Sequence, residues 1–148
     1  MLKELAAVGL AAPAIAPEKW LQGSLAYAAA PATLVVYFEV WCTYCTRDIP
    51  EMAARAESLR AMGVQVLLVT RLSKTSTEES TQAFLAEYGV PFATLVDDNS
   101  RMTDAAAVSG IPAAALVRDG VITWRGHPAR LDDATLQRLL AAPTPPGP

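Results

Sequence analysis

Two runs of almost unbroken apolar residues, Thr33 to Val40 and Val64 to Thr70, stand out from the pattern of the chain. Both are β-branched or aromatic in composition, and apolarity on both faces predicts strands in the interior of a sheet. Between them apolar residues recur at Ile49, Met52, Ala53, Ala56 and Leu59, close to the helical period, which predicts a helix over 46–62. Gly63 supplies its C-terminal stop, and Pro50, inside it, removes one backbone hydrogen bond and predicts a kink. Strand, helix and strand at this spacing form a βαβ unit with parallel strands.

The rest of the pattern is shorter-ranged. Residues 1–17 carry two prolines and read as an extended lead-in, and Pro17 to Leu21 as a short helical turn stopped by Gly23. Arg71 to Thr77 is a polar loop, and Ser76 or Thr77 caps a helix running to Gly89. Pro91 to Asp97 is extended, Asp97 to Ser100 is turn chemistry, and Met102 to Val108 is a short helix. Ala113 to Val117 and Val121 to Trp124 flank Asp119-Gly120, a strong hairpin signal. Asp132 or Asp133 caps a last helix, Ala134 to Leu140, and the proline-rich tail 143–148 is expected to be disordered. Residues 1–142 are read as one domain.

Bulk properties narrow the function classes. A chain of 148 residues with 52% hydrophobic and 18% charged residues is long and apolar enough to bury a core. Its net charge of −3 and lack of a basic cluster give nucleic acid no electrostatic footprint. No apolar run reaches the roughly 20 residues of a membrane span. The stretch from Leu5 to Ala16 imitates a signal peptide weakly, with one lysine before it and Glu4 and Pro13 against it.

The chemistry sits at Trp41-Cys42-Thr43-Tyr44-Cys45, which holds both cysteines of the chain. The first strand delivers Cys42 to a helix N-terminus, and Cys45 lies one turn inside on the same face, so the sulfurs can meet. A thiolate at Cys42 is favoured by the unpaired N–H groups and positive dipole end of the first turn. Cys45, deeper, suits resolution of a mixed disulfide. Zinc wants four ligands, and the chain offers these two cysteines and one histidine, His127.

The motif Phe38-Glu39-Val40-Trp41-Cys42-Thr43-Tyr44-Cys45, with Pro50, Ser109-Gly110-Ile111-Pro112, Asp119-Gly120 and Trp124 to Pro128, resembles the thioredoxin fold. The closer resemblance, over roughly Val8 to Leu140, is to the TlpA/ResA-like thiol:disulfide oxidoreductases. It implies an α/β fold with a mixed central β-sheet flanked by helices. It also implies Cys42 as nucleophile, Cys45 as resolving thiol, and Pro112 as a cis-proline facing them. Ile111 before it would pair its backbone with an incoming substrate strand. Thioredoxins carry a buried Asp where this chain has Val36; ResA-like proteins use a Glu three residues after the second cysteine, where this chain has Asp48. Asp48 is either the proton acceptor for Cys45 or an exposed helical carboxylate, and Glu39 is either a buried base or part of the active-site rim. His127 is expected to be structural or solvent-facing.

The resemblance implies a reductase that needs no bound cofactor and exchanges electrons with protein or peptide thiols and a redox partner protein. It implies a monomer in the bacterial periplasm or another extracytoplasmic compartment if an export signal has been removed, with the cytoplasm as the alternative. The rival reading keeps the fold but uses the thiols as ligands, in a binding module or metallochaperone. A peroxidase of the peroxiredoxin type wants a lone attacking cysteine, which the close pair argues against.

Overall fold

The computed structural model describes residues 2–144, with side chains from Glu4 onward. Its sheet has the strands β1 (Pro17–Gln22), β2 (Ala32–Phe38), β3 (Val64–Thr70), β4 (Ala93–Asp97), β5 (Ala113–Arg118) and β6 (Val121–Gly126). They lie in the order β1-β4-β3-β2-β5-β6. β2, β3 and β4 are parallel; β1, β5 and β6 each run antiparallel to their neighbours. The helices are α1 (Leu2–Ala7), α2 (Thr43–Ala54), α3 (Ala56–Ala61), α4 (Glu78–Glu87), α5 (Arg101–Ala105) and α6 (Asp133–Ala141).

β2 is the centre of the sheet, and every residue in it is buried. Successive strand side chains point to opposite faces. Leu34, Val36 and Phe38 therefore enter one core with both cysteines, Ile49, Met52 and Leu136. Val35 and Tyr37 enter the other, with Leu95, Met102 and Ile122. The two-sided apolar pattern thus marks a strand covered on both faces.

Three local readings are corrected. Residues 1–17 are not all extended: Leu2–Ala7 is helical, built from strong helix formers that the prolines further on do not touch. Pro17 to Leu21 is not a helical turn but lies in β1, because its backbone pairs with β4, Trp20 opposite Leu95. The single helix over 46–62 is two, starting three residues earlier at Thr43; the chain stays helical through Pro50 and breaks at Arg55 (φ −99°, ψ 10°).

Several caps fall where turn chemistry places them. Thr77 and Ser80 form a capping box on α4, and Asp132 caps α6. Asp119 and Gly120 both adopt positive φ, 50° and 79°, as a two-residue hairpin turn requires. Asp97 departs from the solvated turn expected of it: it is buried and accepts hydrogen bonds from the Met102 and Thr103 N–H groups and the Thr103 hydroxyl. Of the tail, 145–148 lie outside the described residues, and the Thr144 hydroxyl donates to Asp119.

Candidate active site

β2 ends at Phe38, and the four residues after it turn the chain into α2 with Cys42 as N-cap. The Cys42 Sγ accepts the Cys45 N–H at 3.2 Å, so a sulfur takes the place usually held by a serine or aspartate oxygen. The Cys42 N–H donates to the Glu39 carbonyl, fixing the turn. Cys42 is nearly buried, Cys45 fully so, and both thiols are free. Burial pushes the Cys45 thiol well above its ordinary range; its hydrogen bond to Cys42 and the negative charge of Asp48 act in the same direction.

The Ile111–Pro112 peptide is cis, and the Ile111 carbonyl stands 3.8 Å from Cys42 Sγ. The loop before β5 is thereby set against the start of α2. Arg125, buried on β6, donates to the Ala106 and Ala107 carbonyls and ties down the chain leading into that loop.

Glu39 is buried at the rim. Its carboxylate accepts the Trp41 indole N–H at 2.8 Å and lies 3.6 Å from Arg71. It holds Trp41, which is 54% exposed, against the site. Tyr44, 59% exposed, lies beneath the Arg47 guanidinium. Two exposed aromatic residues thus flank the buried Cys42 in sequence.

Asp48 is not an exposed helical carboxylate: it is 5% exposed. Arg47 Nε donates to its Oδ1 at 2.9 Å, while Oδ2 has no hydrogen-bond partner among the described residues. Val36, in the same core as the cysteines, leaves the sheet side of the pair apolar. His127, expected to be structural or solvent-facing, is about one-third exposed. It follows β6, and its Nε2 lies 3.7 Å from that orphan Oδ2. The lone histidine in Gly126-His127-Pro128 was visible, but its meeting with Asp48 depends on the tertiary structure bringing the residue after β6 alongside α2. Among the described residues no group of three or more His, Cys, Asp or Glu side chains converges as a metal site.

A parallel-centred sheet with a dithiol at the end of its middle strand, facing a cis-proline, defines a thioredoxin-like protein. The model of the AhpC/TSA family matches residues 10–125, and the chain belongs to that family. It is 26% identical over 81 residues to the thiol-disulfide oxidoreductase ResA of Bacillus subtilis, covering 55% of this chain and 44% of ResA. The chain thus spans less than half the length of that relative. Among solved structures, a thioredoxin-like protein in its oxidised form superposes with a TM-score of 0.75 at 20% identity, covering 88% of this chain and 95% of that one. A secreted disulfide oxidoreductase of Mycobacterium tuberculosis, described as homologous to E. coli DsbE, gives 0.63 at 20% identity over 83% and 92%.

Proposed function

We propose that the chain is a thiol:disulfide oxidoreductase working through Cys42 and Cys45, as a reductase of the TlpA/ResA type. The observation that carries this is the Cys42 sulfur: it caps α2, accepts the Cys45 N–H and faces the carbonyl that precedes the cis-proline. A sulfur at a helix N-terminus, accepting from that turn's N–H, is placed to attack a disulfide brought against the cis-proline.

Cys42 attacks one sulfur of a substrate disulfide, a mixed disulfide forms, and the first substrate thiol leaves. Cys45 then gives up its proton, attacks Cys42 Sγ and releases the second substrate thiol. The chain is left with a Cys42–Cys45 disulfide, having passed two electrons to the substrate; a dithiol partner protein returns them. Because burial holds the proton on Cys45, the second step needs a base, and Asp48, one turn further along α2, is that base. Glu39 orients Trp41 instead. The Ile111 backbone pairs with an extended substrate segment. Residues 1–142 act as one monomeric domain in an extracytoplasmic compartment, a placement supported by the secreted neighbour.

Cys42→Ser is expected to abolish reduction of insulin, and Cys45→Ser to accumulate mixed disulfides resolvable on non-reducing gels. Full activity in the Cys42→Ser chain would refute the reading. A glutathione titration then gives direction: a potential near about −270 mV marks a reductant, and one near about −120 mV an oxidant.

A further inference from the structure

We propose that His127 is a positioning residue for Asp48, holding the carboxylate in the attitude from which it takes the Cys45 proton; this rests on the reading of Asp48 as the base. The His127 Nδ1 accepts the Ala129 N–H at 3.1 Å. That bond leaves the neutral ring with its proton on Nε2, the atom aimed at Asp48 Oδ2. At 3.7 Å the pair is beyond direct hydrogen-bond distance. Catalytic hydrogen bonds are often long in the free protein and tighten once substrate is bound.

A movement of a few tenths of an ångström closes that gap, and the partly exposed ring is not locked in the core. His127 is about one-third exposed, at the start of the short turn Pro128–Arg130. The residue before it, Gly126, lies under the Trp124 ring, where an added Cβ would come within 2.7 Å of the ring carbons, so the chain reaches His127 by a path open only to glycine. The carboxylate is gripped on one side already, by Arg47 at Oδ1. Each carboxylate oxygen has two lone pairs, so Oδ2 accepts from Nε2–H and still has room for the thiol proton. A cleft of about 180 Å³ lined by Asp48, Glu51, Arg55, Ala129, Asp132 and Asp133 opens beside the pair. The proton passes from Cys45 Sγ to Asp48 and out through this cleft to solvent; no electrons move in the step, and Cys45 is left as the attacking thiolate.

Reaction with 5,5′-dithiobis(2-nitrobenzoate) separates the steps. The first nitrothiobenzoate released reports attack by Cys42, and the second reports attack by Cys45 on the mixed disulfide. His127→Ala is expected to slow the second phase about tenfold and leave the first within about twofold. His127→Gln, which keeps an N–H donor near the Nε2 position, restores most of the rate. Asp48→Asn slows the second phase at least as much as His127→Ala, and the double variant is no slower than Asp48→Asn, because the two act as one unit. A second phase unchanged in His127→Ala, as slow in His127→Gln as in His127→Ala, or slowed multiplicatively in the double variant overturns the proposal. A second phase unchanged in Asp48→Asn removes the base itself, and no first phase at all removes Cys42 as nucleophile, so the three failures are distinct.

Discussion

Cys45 and Asp48 are a helical turn apart on α2 and both are buried, and burial together with the nearby carboxylate holds the proton on Cys45. The consequence for Cys45 is a stability that depends on pH. Below the unfolded thiol's ordinary value of about 8.5, folded and unfolded chains both hold the proton and this group contributes no pH dependence. Above it the unfolded chain releases the proton while the buried thiol keeps it, so the unfolded state binds fewer protons and stability falls as pH rises. The limiting slope is about 1.4 kcal/mol per pH unit. Desolvation raises two tyrosines for the same reason, half-buried Tyr27 to about 12 and buried Tyr37 further, and both enter only above about pH 10. Urea unfolding of the reduced protein between pH 8 and 9.5 is expected to show this loss, and Cys45→Ala to flatten it; equal slopes in both chains would show that Cys45 is not the source.

Short elements here are held by their ends. α5 has only five residues, too few to persist by propensity, and it stands because Asp97 accepts from the Met102 and Thr103 N–H groups in its first turn and Arg125 donates to the Ala106 and Ala107 carbonyls just past its end. Asp97→Ala would leave the buried Met102 and Thr103 N–H groups without partners, and a cost of about 3 kcal/mol in urea unfolding is expected. Asp98→Ala, which loses only an exposed pair with Arg101, is expected to cost less than about 1 kcal/mol. Comparable losses in the two variants would mean that the buried cap does not sustain α5. The acidic run Asp97-Asp98 gave no hint of this division of labour: which carboxylate turns inward depends on the φ of +52° at Asn99 and +59° at Ser100 that follow.

Across the whole molecule, the ends of the sheet are managed by the N-terminal residues. β6 would leave an open edge, but the Gly9 N–H donates to Ile122, the Ile122 N–H to Leu10, and the Ala12 N–H to Gly120. Ala7 is fully buried at the end of α1, and Glu4 reaches Arg130. A chain beginning at residue 13 exposes the β6 edge, and edge strands recruit other chains. Light scattering is expected to show it self-associating where the longer chain does not; an unchanged monodisperse species would mean the edge needs no cover.

Much of the site was legible because it is local. The cysteines are three residues apart, the strand before them is an almost unbroken apolar run, and the helix after them starts where they lie, so spacing alone put two sulfurs at a strand-to-helix corner. The hairpin at Asp119-Gly120 and the caps at Thr77 and Asp132 were legible for the same reason, each being a matter of a few consecutive residues. What local chemistry did not decide was which segments meet. Pro17 to Leu21 became strand only because β4 offered a partner, and the N-terminal segment found β6 across the chain. Cys42 and Ile111, 69 residues apart, face each other because β5 lies beside β2. The burial of Asp48 and its approach by His127 come likewise from packing between elements distant in sequence, where the free energy of tertiary burial, not the preference of any short stretch, fixes the outcome.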